Sequence, residues 1–459
     1  ASHETTGGAT PAAPGDWLIL ADRTGVGSQL AERLVARGDR AHLAYAGEAI
    51  ERVLGGIVSL RGVVHLWSLD AAPIAKTSAD DLDADQMRGS GAVLEALHLL
   101  LQRSETAPVW IATRRGQVVG SDQHGDRSLA PEQTPIWGLG RVIALEHPQL
   151  WGGLVDLDTD DPIDAADCLL REIGNQDDED QVAWRDGARY VPRLTPATRS
   201  FDGEPPVLHA DGAYLITGGV GGLGLKVARW LAEHGAGHLV LTTRRRWTES
   251  PETSEARETA AAIAAIEALG AKVHVATADV AEVDQMTRLV ASFGSELPRL
   301  RGVVHAATAN QSTLLRDMTV AELMDMLRAK VRGTWVLDRL TADVDLDFFV
   351  LFSSTTGLLR SSAVGHYAAP DVFLDAMAHD RRRRGLPAVS IVWGEWDQMR
   401  VGVGAEDHRR QFDHAGPRPM PSDRALALFG RLLRSPVTQP VVVSADWSTL
   451  KSVYEVRRS

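Results

Sequence analysis

The chain has 459 residues, a formal net charge of −13 at neutral pH and a single cysteine, Cys168. This length predicts two or three domains. The acidic charge argues against a nucleic-acid partner, and one cysteine excludes a disulfide framework or a cysteine-rich metal site. No apolar run is long enough for a membrane span and no signal peptide is recognisable, so we expect a cytoplasmic protein with no metal site and no membrane partner.

The N-terminus is rich in Thr, Gly, Ala and Pro, so we interpret residues 1–15 as a linker and the chain as part of a longer polypeptide. The following stretch, Trp17 to Gly38, has the pattern of a short apolar strand, a glycine-containing turn and an amphipathic helix. The same pattern recurs, without gaps, from Tyr214 to Gly235. An internal repeat is therefore indicated.

A second match supports the repeat, because the pentapeptide from Arg61 to His65 recurs from Arg301 to His305. Strands and helices alternate in both copies, which predicts an α/β fold with two Rossmann-like parallel-sheet subdomains. We place their boundary in a proline-rich stretch at residues 193–206, giving subdomains 16–205 and 206–459.

The two copies differ at their glycine turns. Gly218, Gly219 and Gly221 of the second copy correspond to Ala21, Asp22 and Thr24 of the first. These side chains, one of them negatively charged, occupy the place that a phosphate needs. We therefore expect a degenerate, structural first subdomain that binds no nucleotide and buttresses a catalytic second subdomain.

The turn of the second copy has the glycines that let a backbone approach a pyrophosphate at a helix N-terminus, although a tight turn of any α/β protein is the alternative. The predicted dinucleotide-binding residues of this turn are Thr217, Gly218, Gly219, Gly221, Gly222, Leu223 and Gly224.

The residues after the next two strands indicate which dinucleotide binds and where its adenine lies. Arg244 follows the strand from His238 to Leu241, where an arginine suits a 2′-phosphate, so we expect NADPH; a solvated turn is the alternative. Asp279 and Val280 follow the third strand and are placed to meet the adenine. Asp279 is equally compatible with an N-cap of the next helix.

Four residues of the second copy suggest chemistry. Lys330 falls on the apolar face of a helix from Val320 to Leu340, where it has either a buried partner or a snorkelling side chain. Ser354 ends an apolar strand, and Tyr367 begins a helix that carries Asp371 one turn later. An ammonium beside a phenol stabilises the phenolate. A Tyr here can therefore donate a proton to a carbonyl oxygen while a hydride adds to the carbonyl carbon, and the Ser hydroxyl can hold the same oxygen.

These residues resemble those of the short-chain dehydrogenase/reductase superfamily and, more narrowly, the ketoreductase domains of modular type I polyketide synthases. The resemblance rests on the segment from Thr217 to Gly224, on Lys330, on Phe352-Ser-Ser354 and on Tyr367-Ala-Ala. It extends over nearly the whole chain, with further matches such as Trp137 to Pro148 in the first half.

The resemblance implies an NADPH-dependent oxidoreductase that reduces the β-keto group of an acyl chain on the phosphopantetheine of an acyl carrier protein, beside neighbouring synthase domains. It implies that Lys330, Ser354 and Tyr367 are catalytic and that the strand end at Ala306 and Ala307 lies at the cofactor. It also implies a mobile lid at about residues 398–417.

The chain departs from the family pattern at Asp371, where the family has a catalytic Asn, and at Thr308, where it usually has Gly. A carboxylate at 371 is expected to pair with Lys330 and weaken its hold on Tyr367, or to oppose the phenolate directly. Three alternatives follow: a working reductase, an impaired reductase that epimerises C2 of a 2-methyl-3-ketoacyl chain, or a silent structural domain.

Overall fold

A computed structural model describes residues 14–120, 128–175, 177–197, 204–245, 253–308, 313–359, 365–397 and 416–456. Two seven-stranded sheets, one in each half of the chain, dominate the architecture. The predicted pair of Rossmann-like parallel-sheet regions is confirmed.

The first half alternates strands and helices before it ends in a hairpin. Its strands are β1 Asp16–Ala21, β2 Arg40–Tyr45, β3 Leu60–His65, β4 Val109–Arg114, β5 Trp151–Leu157, β6 Gln181–Arg185 and β7 Ala188–Tyr190. Its helices are α1 Val26–Ala36, α2 Ile50–Gly55, α3 Ala79–Gln86, α4 Ala92–Gln102, α5 Pro135–Glu146 and α6 Pro162–Gly174. A π-helical turn, Met87–Gly91, joins α3 to α4.

The second half repeats this alternation with one more strand–helix unit. Its strands are β8 Ala213–Thr217, β9 His238–Thr243, β10 Lys272–Thr277, β11 Leu300–His305, β12 Phe348–Ser354, β13 Val389–Trp393, β14 Pro417–Arg418, β15 Val441–Val442 and β16 Ser444–Ala445. Its helices are α7 Gly222–Glu233, α8 Ser254–Glu267, α9 Val283–Ser292, α10 Val320–Leu327, α11 Gly333–Leu340, α12 Gly365–Arg383, α13 Ser422–Leu432 and α14 Trp447–Val456. A second π-helical turn, Arg328–Arg332, joins α10 to α11.

The strand orders show how the two halves correspond. The second sheet has the order β10-β9-β8-β11-β12-β13-β15, with every pair parallel. The first sheet has the order β2-β1-β3-β4-β5-β6-β7, with only β7 antiparallel. The order reverses direction at β1/β3 and at β8/β11, the switch points beside which open α/β sheets bind ligands.

The halves pack through equivalent helices, α5 and α12. A Cβ on Gly138 would lie 2.0 Å from the carbonyl oxygen of Ala368, so only glycine permits this close crossing. One hydrophobic core includes residues of both halves, among them Leu18, Ile136, Leu215 and Phe373. The first half therefore lies directly against the helix that carries Tyr367.

Some predicted segments lie outside the described residues, namely residues 1–13 of the linker and 398–415 of the lid. The proposed boundary at residues 193–206 falls between β7 and β8. The arginine run from Arg381 to Arg383 lies in the last turn of α12, and Arg381 is buried in an ion pair with Asp338 at 2.7 Å. Within the described chain, no helix is both long enough and apolar enough to cross a membrane.

Candidate active site

The glycine turn between β8 and α7 forms a bare backbone cradle. Gly218 adopts a φ of +68°, and a Cβ on Gly224 would lie 2.4 Å from the Gly218 carbonyl oxygen. Gly221 precedes α7, and no side chain of the described residues caps that helix N-terminus. The backbone N–H groups and helix dipole are thus available to a phosphate, which fits the predicted dinucleotide.

The equivalent turn of the first half is filled by its own side chain. Asp22, which is 1% exposed, accepts hydrogen bonds from the backbone N–H of Gly27 at 2.7 Å and of Val26 at 3.2 Å. Thr24 also donates to it through its hydroxyl. The Asp22 carboxylate therefore takes the helix N-terminus that a phosphate would need.

The other predicted cofactor residues lie around the same edge of the second sheet. Arg244 is exposed just after β9, and Ala306 and Ala307 follow β11 directly. The Ala307 backbone lies against Gly218, where a Cβ would come within 2.8 Å of the Ala307 Cα. Thr217, at the end of β8, is paired in register with His305 of β11.

Asp279 and Val280 follow β10 as predicted, but Asp279 is not an N-cap. The next helix, α9, has Glu282 at that position. The Asp279 carboxylate instead accepts from the Ala281 N–H at 2.9 Å and pairs with Arg328 at 2.8 Å. Val280 is buried, and a Cβ on Gly333 would lie 2.8 Å from it, so Val280 also packs against the start of α11.

Lys330 is the middle residue of the second π-helical turn, not part of a continuous α-helix. It is 6% exposed, so the snorkelling alternative is wrong. Its ammonium donates to the Phe352 carbonyl oxygen at 3.4 Å and to Asp371 Oδ1. A buried lysine with these contacts is held at the carboxyl end of β12.

Asp371 is the buried partner of Lys330. It is fully enclosed, and its second oxygen accepts from the Thr356 hydroxyl at 3.1 Å. Burial raises the pKa of the Asp371 carboxyl, while the Lys330 ammonium and the Thr356 hydroxyl oppose that rise. Both carboxylate oxygens therefore face hydrogen-bond donors.

Tyr367 lies in the first turn of α12, with its ring centroid 6.0 Å from the Lys330 ammonium. Burial, followed by the Asp371 charge, raises the pKa of the Tyr367 hydroxyl to about 12. The expectation that Lys330 lowers this pKa is therefore wrong, because burial disfavours the charged phenolate and the Asp371 charge adds to that effect. The expected pairing of a carboxylate at position 371 with Lys330 is present, and so is its direct opposition to the phenolate.

Ser354 ends β12 and is half-buried, and its hydroxyl accepts from the Thr356 N–H at 3.2 Å. Beside it on β11, His305 Nδ1 lies 2.6 Å from the Thr217 hydroxyl. Burial, and secondarily Lys330, lowers the pKa of His305 to about 3, so this ring is neutral. The structure thus brings Lys330, Ser354, Tyr367 and Asp371 together at the edge that carries the glycine turn.

Sequence reasoning missed several residues that support this site. Arg141 of the first half donates to the Gly357 carbonyl oxygen, and its signal in the sequence is a charge inside an apolar helix. Asp375, one turn after Asp371, accepts from Ser390 at 2.6 Å and Gln439 at 2.8 Å. In the described chain, no group of three or more His, Cys, Asp or Glu is arranged to hold a metal ion.

Two family models match the chain. Residues 212–398 match the KR domain, and residues 16–194 match the Rossmann fold domain of the polyketide synthase extender module SpnB. The two matches lie on either side of the segment between β7 and β8.

Similar proteins cover nearly all of the chain. A solved A1-type ketoreductase is 31% identical with a TM-score of 0.77, covering 97% of this chain and 92% of its own. The first ketoreductase of the tylosin synthase is 30% identical with a TM-score of 0.79, covering 97% and 94%. Erythronolide synthase EryA3 of Saccharopolyspora erythraea is 35% identical over 409 residues, which are 87% of this chain but 12% of that synthase.

Proposed function

The chain belongs to the ketoreductase domains of modular polyketide synthases, and we propose that it reduces the β-keto group of an acyl chain on an acyl carrier protein, using NADPH. One observation carries this proposal: Lys330, Ser354 and Tyr367 meet at the carboxyl end of β12, on the same sheet edge as a glycine turn that no side chain of the described residues fills.

The glycine turn from Thr217 to Gly224, the strand end at Ala306 and Ala307, and Asp279 and Val280 would hold the dinucleotide, with Arg244 at its 2′-phosphate. When bound, NADPH supplies the hydride that forms the new C–H bond. Neighbouring synthase domains would deliver the substrate on the phosphopantetheine arm of the carrier protein.

The protein supplies the proton and the binding site for the oxygen. Ser354 hydrogen-bonds to the ketone oxygen and orients it, and Tyr367 donates its phenolic proton to that oxygen as the C=O π bond breaks. Lys330 places a positive charge 6.0 Å from the centre of the Tyr367 ring, and its pairing with Asp371 reduces the stabilisation that this charge gives to the resulting phenolate. The net change is one hydride and one proton added across the carbonyl.

The test is NADPH consumption by the wild-type protein with a 2-methyl-3-ketoacyl thioester. We expect turnover that is lost on Tyr367→Phe. An Asp371→Asn variant should turn over about 10-fold to 100-fold faster, because an uncharged amide frees Lys330 to act on Tyr367. The neighbouring Asp375→Asn variant, which leaves the Lys330 pair intact, is the control and should show no such gain.

A second candidate, an impaired reductase that epimerises C2, is favoured by the Lys330–Asp371 pair and by the pKa of about 12 at Tyr367. Epimerisation needs only removal of the acidic proton between two carbonyls and its return to the opposite face, which Ser354 and Tyr367 would assist. Deuterium washout from C2 without NADPH consumption would establish it and reject reduction. If neither reduction nor epimerisation is detected in the wild type or in Asp371→Asn, the chain is a structural domain.

A further inference from the structure

The first half contacts the active site at two places on one helix. On α5, Gly138 lies against the Ala368 carbonyl oxygen, next to Tyr367. One turn later Arg141, which is 6% exposed, donates through Nη1 to the carbonyl oxygen of Gly357. Arg141 Nε is held by Gln181 at 2.9 Å, so the guanidinium has a fixed orientation.

Gly357 belongs to the short turn Thr355–Gly357 that follows Ser354. A Cβ on Gly357 would come within 2.9 Å of the Asp371 Cβ, so the turn lies directly on α12. The preceding Thr356 donates its N–H to Ser354 and its hydroxyl to Asp371. A displacement of the Gly357 carbonyl would therefore move the contacts of both Ser354 and Asp371.

The loop after β11 is held from the first half as well. The Leu315 N–H donates to Glu146, the last residue of α5, at 2.8 Å, and the Leu315 carbonyl oxygen lies 2.8 Å from His98 Nε2 on α4. Side chains of the first half thus form hydrogen bonds to the backbone after β11, at Leu315, and after β12, at Gly357.

We infer that Arg141 is a positioning residue of the catalytic half, which sets Ser354 and Asp371 through the turn Thr355–Gly357. This inference rests on the proposed function for its kinetic consequence. A guanidinium suits the role because it donates several fixed, charge-assisted hydrogen bonds from a buried position. The first half then contributes to turnover as well as to folding.

The experiment compares Arg141→Met and Arg141→Lys with Arg339→Met, an exposed arginine that serves as the control for the loss of a bond between the halves. Arg339 also crosses between the halves, donating to the Ile74 and Ala75 carbonyl oxygens at 2.8 and 2.6 Å, and among the described residues no hydrogen bond joins it to the turn Thr355–Gly357. We expect Arg141→Met to lower kcat about 10-fold or more with little change in KM, because misplaced catalytic groups affect the chemical step. Added guanidinium ion should restore part of this loss.

Hydrogen–deuterium exchange tests the contribution of the Arg141–Gly357 hydrogen bond without any substrate. The amides of Thr356, Leu358 and Leu359 are hydrogen-bonded within this turn. They should exchange about 10-fold faster in Arg141→Met, because the turn opens more easily once a charged donor is lost. They should be unchanged in Arg339→Met. Arg141→Lys, which retains one charged donor, should be intermediate in both measurements and replaces Arg141→Met if that variant does not fold.

The outcomes separate the two proposals. If the wild type shows no turnover, the proposed function fails and the exchange comparison alone decides the role of Arg141. Equal exchange of the turn in Arg141→Met and Arg339→Met overturns the inference. A kcat that falls equally in both variants also overturns the inference. The same holds if added guanidinium ion restores none of the kcat that Arg141→Met loses.

Discussion

The two halves share a frame and differ at the positions where chemistry is expected. The helix N-terminus after β1 receives the Asp22 carboxylate, whereas no side chain among the described residues caps the one after β8. The middle residue of the π-helical turn is Gly89 in the first half and Lys330 in the second. A few substitutions at equivalent places thus separate an anion site that is filled by its own side chain from one that is open, and a π-helical turn with glycine at its centre from one with a buried ammonium there.

The comparison also shows what the first half retains. Both copies of the repeated pentapeptide end in a buried histidine with a lowered pKa, about 4 for His65 and about 3 for His305. Burial is the main cause at both positions. The two halves therefore share the packing around β3 and β11, although Asp22 fills the anion site in the first half. This fits a first half that supports α12 from one side.

The largest expected effect concerns the buried Lys330 ammonium, which lies where the first half has Gly89. Lys330→Met should lower the free energy of unfolding by about 3–5 kcal/mol, because it leaves the enclosed Asp371 carboxylate without its cation. The double variant with Asp371→Asn should recover most of this loss. Chemical denaturation measures both.

Arg328→Met is the control for Lys330, since it lies on the same π-helical turn but pairs with Asp279 nearer the surface. It should cost no more than about 1 kcal/mol. If Lys330→Met costs no more than Arg328→Met, the buried pair is not the element that distinguishes the halves.

The next effect tests the anion site by making the second half resemble the first. Gly222 is exposed, and nothing lies within 4 Å of a Cβ built there, so Gly222→Asp introduces a carboxylate at the N-terminus of α7 without a clash. NADPH affinity should fall about 100-fold or more, because a carboxylate a few ångströms from a phosphate opposes its binding. Titration of NADPH fluorescence measures this.

Gly222→Ala serves as the control for that experiment and should keep affinity within about 3-fold, since it adds a methyl group into open space and no charge. An equal loss in both variants would mean that the backbone conformation, not charge, decides binding. The contrast with the Asp22-filled turn would then lose its physical basis.

Much of this arrangement could be predicted from the sequence because it depends on local patterns. The apolar run from His238 predicts a strand to Leu241, and β9 ends two residues later at Thr243. Glycines that require a positive φ or a close approach, such as Gly218 and Gly224, are likewise readable one residue at a time.

Features that arise from long-range packing could not be predicted. The π-helical turn at Lys330 interrupts a pattern that predicts one continuous helix. The bond from Arg141 to Gly357 joins residues 216 positions apart, in different halves. The raised pKa of Tyr367 depends first on the burial of its hydroxyl in the folded protein and then on the Asp371 charge, and helical spacing alone gave no measure of that burial.

The smallest expected effect is a difference between the halves in how one buried carboxyl of each makes the free energy of unfolding depend on pH. Burial raises the pKa of Glu132 in the first half to about 8 and of Asp375 in the second to about 7. Each carboxyl is protonated in the folded protein and ionised in the unfolded chain between its unfolded and folded pKa values. The stability that each contributes is therefore complete at low pH and lost as pH rises through the folded value.

Between pH 7 and pH 8 Glu132 keeps more of its proton than Asp375 does in the folded protein, so Glu132 accounts for most of the fall in the free energy of unfolding over this interval, about 1 kcal/mol. Glu132→Gln should remove that slope, since an amide oxygen can still accept from the Ile74 N–H, the bond that Glu132 makes at 3.2 Å. Asp375→Asn should leave most of that slope in place and should reduce the slope below pH 7, where Glu132 still contributes its own share. Denaturation midpoints at half-unit pH steps decide this, because an unchanged slope in Glu132→Gln would place the titrating carboxyl elsewhere.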